Sequence, residues 1–188
     1  NIKKELLRFI SEDIQSGDIT SVLLPKKKIK AKIISREDGI LAGVRFAREI
    51  FRLKGCHTRV TKKDGAKLKP NQVILEVSGN ARMVLSCERT ALNLLSRMSG
   101  IATHTNFLVS KIRKINRKTK LYSTRKTAPG LRFFDKEAVK IGGGHKHRMS
   151  LNDMIMIKDN HLLVSNSMED IIKNARKRHK HVEVEVEN

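Results

Sequence analysis

The sequence predicts an α/β protein, in which an N-terminal α/β sandwich-like domain is followed by an incomplete TIM-like barrel of parallel strands. Three observations predict it. Helical and extended patterns mix up to about residue 80, the periodicity becomes purely helical from Ser86, and from about residue 120 strand and helix patterns alternate. Strict alternation of this kind is how parallel strands joined by crossover helices read. The switch places a boundary at residue 100, with an N-terminal α+β domain and its linking helix over 1–100 and the first part of the barrel over 101–188.

Residues 2–14 read as a helix ended by the turn at Ser16-Gly17-Asp18, and several short extended segments follow. Strands are expected at Lys30–Ser35, Ile40–Ala42 and Gln72–Ser78; in the last, Val73, Leu75 and Val77 alternate with polar neighbours as a half-buried strand requires. Asp64-Gly65 and Pro70-Asn71 supply turns. From Ser86, Ala91, Leu94, Leu95 and Met98 share a helical face, and Leu108, Ile112 and Ile115 continue it after an interruption at Ser99-Gly100, so the helix is long or broken. Beyond it come a strand at Lys120–Thr124, a helix at Arg132–Ile141, a strand at Met154–Ile157, a helix at Ser167–Arg178 and a strand at His181–Glu187. The second of these helices has Ser167 as cap, Asp170 early and Arg176-Lys177-Arg178 late, which suits the macrodipole at both ends. Three such strands do not close a barrel, and a last strand left as an open edge is a liability. The chain therefore reads as a piece of a longer protein, and its opening on Asn1 points the same way.

With 188 residues and 39% hydrophobic content, the chain can bury a core. No apolar run approaches the length of a membrane span, and the charged opening NIKKELLRFI is no secretory signal, so a cytoplasmic protein is expected. Cys56 and Cys87 have no metal-ligand spacing and read as reduced core thiols. The formal net charge of +21 raises the question of a polyanionic partner. The basic runs are scattered over residues 26–32, 62–69, 111–120 and 175–181, and one tyrosine, six phenylalanines and no tryptophan offer few stacking platforms, which argues against nucleic acid. Each run taken singly reads first as a solvated face.

Candidate chemistry concentrates between Ser123 and His161. Working residues of parallel βα units sit at the carboxyl ends of strands. Arg125 and Lys126 follow the first strand, Lys158 follows the apolar run Met154–Ile157, Glu187 closes the third strand, and His147-Arg148 lie in the same supersecondary unit. Arginine grips a carboxylate or phosphate with a planar fork, whereas lysine is a point charge. Each charge-assisted hydrogen bond contributes roughly 1.5–3 kcal/mol, so four or five together hold a multiply charged small molecule. Val182, Val184 and Val186 alternate with Glu183, Glu185 and Glu187, giving one apolar and one carboxylate face; whether the carboxylates point inward or line a solvated edge stays open. An inward Glu187 would hold magnesium through its water shell. Gly142-Gly143-Gly144 is no recognised phosphate loop; its first glycine reads as a helix C-cap, and the others would let a ligand approach the backbone. No zinc site is expected from His145 and His147.

Seven ordered motifs, EDIQSGDIT (12–20), GILAG (39–43), ERTALNLLSRMSGIAT (88–103), TRKTAPGLR (124–132), KEAVKIGGGHKHRMSLND (136–153), IKDNH (157–161) and EVEVEN (183–188), resemble the quinolinate phosphoribosyltransferase family. The resemblance implies transfer of a phosphoribosyl group from phosphoribosyl pyrophosphate to quinolinate with decarboxylation, giving nicotinate mononucleotide for NAD biosynthesis. It implies that Thr124, Arg125, Lys126, His147 and Arg148 line the quinolinate site, that Lys158 reaches donor or substrate, and that Glu187 serves the magnesium and ribose region. Lys126, Lys158 and Glu187 would be the catalytic set. It further implies a homodimer or higher oligomer in which Arg89 is offered across the interface. Two departures stand out: Ser123 where relatives often carry aspartate, and Ser150–Asp153, a stretch that usually begins with glycine. The piece shown is expected to be inactive by itself. Alternatives are a molybdenum-operon protein of the same fold and a basic polyanion-binding module built on it.

Overall fold

A computed structural model describes residues 1–165 and 167–186. Cα packing divides the chain into a larger unit, residues 1–123 with 127–146, and a smaller one, residues 124–126 with 147–188.

In the larger unit, α1 (Ile2–Ile14) is followed by a 3-10 turn at Ser21–Leu23. Asp18 caps that turn, accepting from Thr20 N, Ser21 N and Ser21 Oγ. Next come β1 (Lys28–Ile34), β2 (Gly39–Ile40), α2 (Val44–Leu53), β3 (His57–Val60), β4 (Lys67–Leu68) and β5 (Val73–Asn80). β5 is central in an antiparallel sheet of order β1-β5-β3, while β2 and β4 form a separate pair. The register sets Ile33 opposite Leu75 and Ala31 opposite Val77, so the apolar alternation read from the sequence forms the inner face.

Residues 44–53, between the strands expected at Ile40–Ala42 and Gln72–Ser78, form a helix that the short extended segments expected here did not include. Val44, Ala47, Ile50 and Phe51 recur at helical spacing and are all buried. Asp64 supplies the missing cap by accepting from Val44 N at 2.9 Å. Gly43 precedes this helix in the left-handed region at φ 93°, and a Cβ there would lie 2.7 Å from Met98 Sδ.

α3 (Ala81–Ile115) is a single helix of 35 residues, so the interruption expected at Ser99-Gly100 does not occur. A mid-helix glycine costs about 1 kcal/mol relative to alanine. Packing and polar contacts along the same stretch offset it: Ala42 N donates to Ser99 Oγ at 3.0 Å and Ile40 N to Thr103 Oγ1 at 2.8 Å. A boundary at residue 100 consequently falls inside a helix.

α4 (Arg132–Ile141) packs on α3, and its Phe134 ring meets Phe46 of α2 at 5.0 Å and Phe9 of α1 at 5.5 Å. Gly142 does cap α4, yet it is Gly143 that adopts positive φ. A Cβ on Gly142 would lie 2.4 Å from the Ala102 carbonyl oxygen, and one on Gly144 would lie 2.8 Å from Val139 Cγ1. Close approach at Gly142 and Gly144 therefore serves packing against protein, whereas Gly143 meets only Val109 Cγ1 at 3.6 Å. The strand expected at Lys120–Thr124 reduces to one parallel bridge between Tyr122 and His145.

The smaller unit contains β6 (Ile155–Ile157), α5 (Asp159–Val164), α6 (Met168–Arg178) and β7 (Val182–Val184), with β6 and β7 parallel as expected. α5 was not expected; His161 Nδ1 accepts from Lys158 N at 2.9 Å and so starts it. Of the run Met154–Ile157 only Ile157 is buried, because a two-stranded sheet covers little of its own surface. Ser167 caps α6 through Asp170 N at 3.2 Å.

Candidate active site

Six of the eight residues singled out from the sequence, Thr124, Arg125, Lys126, His147, Arg148 and Lys158, belong to the smaller unit. Arg89 lies on α3 of the larger unit, exposed. Glu187 lies outside the described residues. Thr124 and the five basic residues thus share one packing unit, although they come from three separate segments.

Ser123, the residue before Thr124, accepts from Nζ of the fully buried Lys136 at 2.9 Å. Sequence reasoning passed over Lys136, because a lysine inside an amphipathic helix reads as surface; only its zero exposure marks it. Thr124 Oγ1 then accepts from Lys126 N at 3.1 Å, a local turn that fixes where the Arg125-Lys126 pair leaves the chain. Arg125 is half-buried and Lys126 exposed.

Arg148 is buried, with one guanidinium nitrogen donating to the Met154 carbonyl at 3.3 Å and the other 3.5 Å from Met156 Sδ. His147 Nε2 lies 3.0 Å from Glu183 Oε1. Lys158 stands at the carboxyl end of β6 and pairs with Glu185, just past the carboxyl end of β7. Glu185 N also donates to the Ile157 carbonyl at 2.8 Å, continuing the ladder there. Glu183 and Glu185 were read only as part of an alternating strand. Their role as partners of His147 and Lys158 becomes visible once β7 is placed beside β6. Asp153 orders the loop before β6 by accepting from Met149 N at 2.6 Å and Ser150 Oγ at 2.9 Å.

Chemically, the Lys158 amine stands with Glu185 at the carboxyl ends of the two parallel strands, while the Arg148 guanidinium is held at Met154 and Met156 and the His147 imidazole at Glu183. Such a set can bind an anion by charge-assisted hydrogen bonds and can exchange an internal carboxylate for a ligand's. Among the described residues no group of three His, Cys, Asp or Glu side chains could hold a metal by itself.

The description "Quinolinate phosphoribosyl transferase, N-terminal domain" matches residues 18–99, and that of the C-terminal domain of the same family matches residues 101–188. A probable nicotinate-nucleotide pyrophosphorylase [carboxylating] of Archaeoglobus fulgidus is 45% identical over 90% of this chain and 65% of its own length. The probable enzyme of the same name from Bacillus subtilis is 42% identical over 99% of this chain and 66% of its own. Among solved structures, NadC from Streptococcus pyogenes superposes with a TM-score of 0.90 at 37% identity, covering 100% of this chain and 68% of that one. The chain thus spans about two thirds of the length of the relatives it matches. Matches across both domains, with identities of this size, make the chain a member of the quinolinate phosphoribosyltransferase family.

Proposed function

We propose that the protein to which this chain belongs transfers the phosphoribosyl group of phosphoribosyl pyrophosphate to the ring nitrogen of quinolinate and decarboxylates the adduct, yielding nicotinate mononucleotide, pyrophosphate and carbon dioxide for NAD synthesis. The observation that carries this reading is the gathering of Thr124–Lys126, His147-Arg148 and Lys158 into one unit of a chain from this family. Quinolinate brings two carboxylates and the donor several phosphates, which suits a site provided with both forks and point charges.

In this reading Arg125, Lys126, His147 and Arg148 hold the quinolinate carboxylates and aim the ring nitrogen at the ribose carbon, with the turn at Thr124 setting the first pair. Lys158 turns from Glu185 toward the donor phosphates. The bond from the ribose carbon to pyrophosphate oxygen breaks with its electrons going to pyrophosphate, while the ring nitrogen lone pair forms the new bond. Cations around the leaving group stabilise the charge developing on it. The carbon–carbon bond to the adjacent carboxylate then breaks, carbon dioxide leaves, and the electron pair stays on the pyridinium carbon until a proton from water takes it. The protein contributes orientation to that step.

Magnesium fits the donor chemistry. It prefers oxygen ligands and in phosphate-processing sites uses one or two carboxylates together with substrate phosphates, so a cage built wholly of protein is not required. Glu187 would hold it together with those phosphates, and the ion would supply charge neutralisation at pyrophosphate. Arg89 would be lent by the partner of a homodimer. No described helix is long and apolar enough to cross a membrane, which is compatible with a cytoplasmic enzyme.

The test is formation of nicotinate mononucleotide by the full-length protein from quinolinate, phosphoribosyl pyrophosphate and magnesium, with Arg125→Ala as paired control. Turnover that disappears in the variant is expected. A folded full-length protein without turnover would overturn the assignment and favour the molybdenum-linked relative.

A further inference from the structure

Six cations, Lys111, Arg113, Lys114, Arg117, Lys118 and Lys120, fall within the ten residues 111–120, and no carboxylate occurs between Glu88 and Asp135. Among the described residues none of the six takes part in an ion pair. They are not spread over a flat face. In the larger unit, where α3 ends and the chain turns toward the Tyr122 bridge, there is a hollow of about 360 Å³ lined by Arg113, Arg117, Lys118, Lys120 and His145. Ile112 and Leu121 add apolar wall, and no acidic side chain lines it.

A helix C-terminus alone explains little of this. The macrodipole offers about half a negative charge at that end, which one or two basic residues answer. Four permanently cationic side chains facing one hollow repel one another, and nothing lining the hollow offsets that repulsion. The backbone beneath them is also fixed. Asn116 N donates to the Ile112 carbonyl at 2.8 Å, and Asn116 Oδ1 accepts from Lys118 N at 2.8 Å, so the turn bearing Arg117 and Lys118 is closed on itself. On the opposite wall His145 N donates to the Leu121 carbonyl at 2.7 Å and Ser123 N to the His145 carbonyl at 2.9 Å. Gly143, at φ 96°, completes the lining without a side chain.

We propose that this hollow is a second anion site, for a small molecule carrying two or more linked phosphates, such as a nucleoside di- or triphosphate. None of its lining residues belongs to the set read as the active site. The limited volume and apolar wall favour a small ligand over a polymer, and His145 is the single ring among the lining residues, too few to stack successive bases.

The experiment is calorimetric titration of the full-length protein with inorganic tripolyphosphate and, separately, ATP at physiological salt. Three proteins are compared: wild type, Arg117→Ala/Lys118→Ala/Lys120→Ala, and Lys158→Ala. The substituted side chains of the triple variant are exposed, and circular dichroism checks that it folds. Two classes of tripolyphosphate site are expected in wild type. The triple variant should weaken one class by at least about tenfold and spare the other, while Lys158→Ala does the reverse. A single class abolished by Lys158→Ala and untouched by the triple variant would overturn the proposal. So would loss of all tripolyphosphate binding at physiological salt while a single-stranded oligonucleotide still binds with steep salt dependence, which would make the basic segment a polymer surface.

Discussion

Two nitrogens of Arg148 are already engaged, one by the Met154 carbonyl and one by the Met156 sulfur, so the plane of its fork is set before any ligand arrives. A lysine has neither the fork nor the second anchor. Arg148→Lys is therefore expected to raise the KM for quinolinate roughly tenfold or more with a smaller change in kcat, as steady-state kinetics on the full-length protein would read. Asp18 is a second case. Hydrogen bonds from the Ser21 side chain and backbone, joined by Ser86 and Thr20, hold its carboxyl at about 2, below its ordinary value of 3.8. A carboxyl depressed in the folded state stabilises it fully above about pH 4, and that contribution is lost as pH falls toward about 2. Urea unfolding between pH 5 and 2 should show this loss in wild type; Asp18→Asn should be less stable at pH 7 and flatter over that range. Residue types were legible in both places, since a cation or an acid in a turn announces itself. The distant partners were not: Ser86 is 68 positions from Asp18, and Glu183 is 36 from the neighbouring His147.

At the scale of elements, the join of α3 and α4 depends on a position without a side chain. A methyl on Gly142 would meet the Ala102 carbonyl oxygen at 2.4 Å and Thr105 Cβ at 2.7 Å, and backbone cannot step aside. Gly142→Ala should destabilise the protein by about 1–3 kcal/mol, seen as a lower Tm, although alanine is the better helix former. The same two helices are tied by Arg97, which forms two bonds to Asp135 at 2.8 and 2.9 Å. Asp135 is buried while Arg97 is partly exposed, so Arg97→Met leaves a buried carboxylate without its cation; a cost of roughly 1–3 kcal/mol is expected in denaturant unfolding. The sequence showed the existence of α1, α3, α4 and α6 through their periodicity. It hid α2 among short segments and left α3 either long or broken, because a glycine's local cost is readable whereas the bonds from residues 40 and 42 that outweigh it are not.

At the scale of the whole molecule, Arg89 and the cations of residues 124–126 belong to different packing units of the chain, which makes the origin of the arginine testable. Mixing equal amounts of full-length Arg89→Ala and Lys126→Ala, each inactive alone, should restore about a quarter of wild-type turnover if a partner subunit supplies the arginine, and none if it acts within one subunit. The thiols test the core. Burial pushes Cys87 up to about 11 and raises Cys56 as well, so both should resist a thiol reagent in the native protein and react together on unfolding.

By itself the sequence determined the α/β class, the parallel order of its last strands, the supply of cations between residues 125 and 158 and, through seven ordered motifs, the family. All of these are encoded by residue type and short-range spacing, which a linear reading sees. Only the tertiary structure decided that Lys136 is buried and bonded to Ser123, that Glu183 and Glu185 answer His147 and Lys158, that Gly142 and Gly144 pack against protein, and that Arg113, Arg117, Lys118 and Lys120 share one hollow. Each of these is a contact between residues distant in sequence or a cavity enclosed by several segments, and burial and proximity acquire values only once the chain has folded.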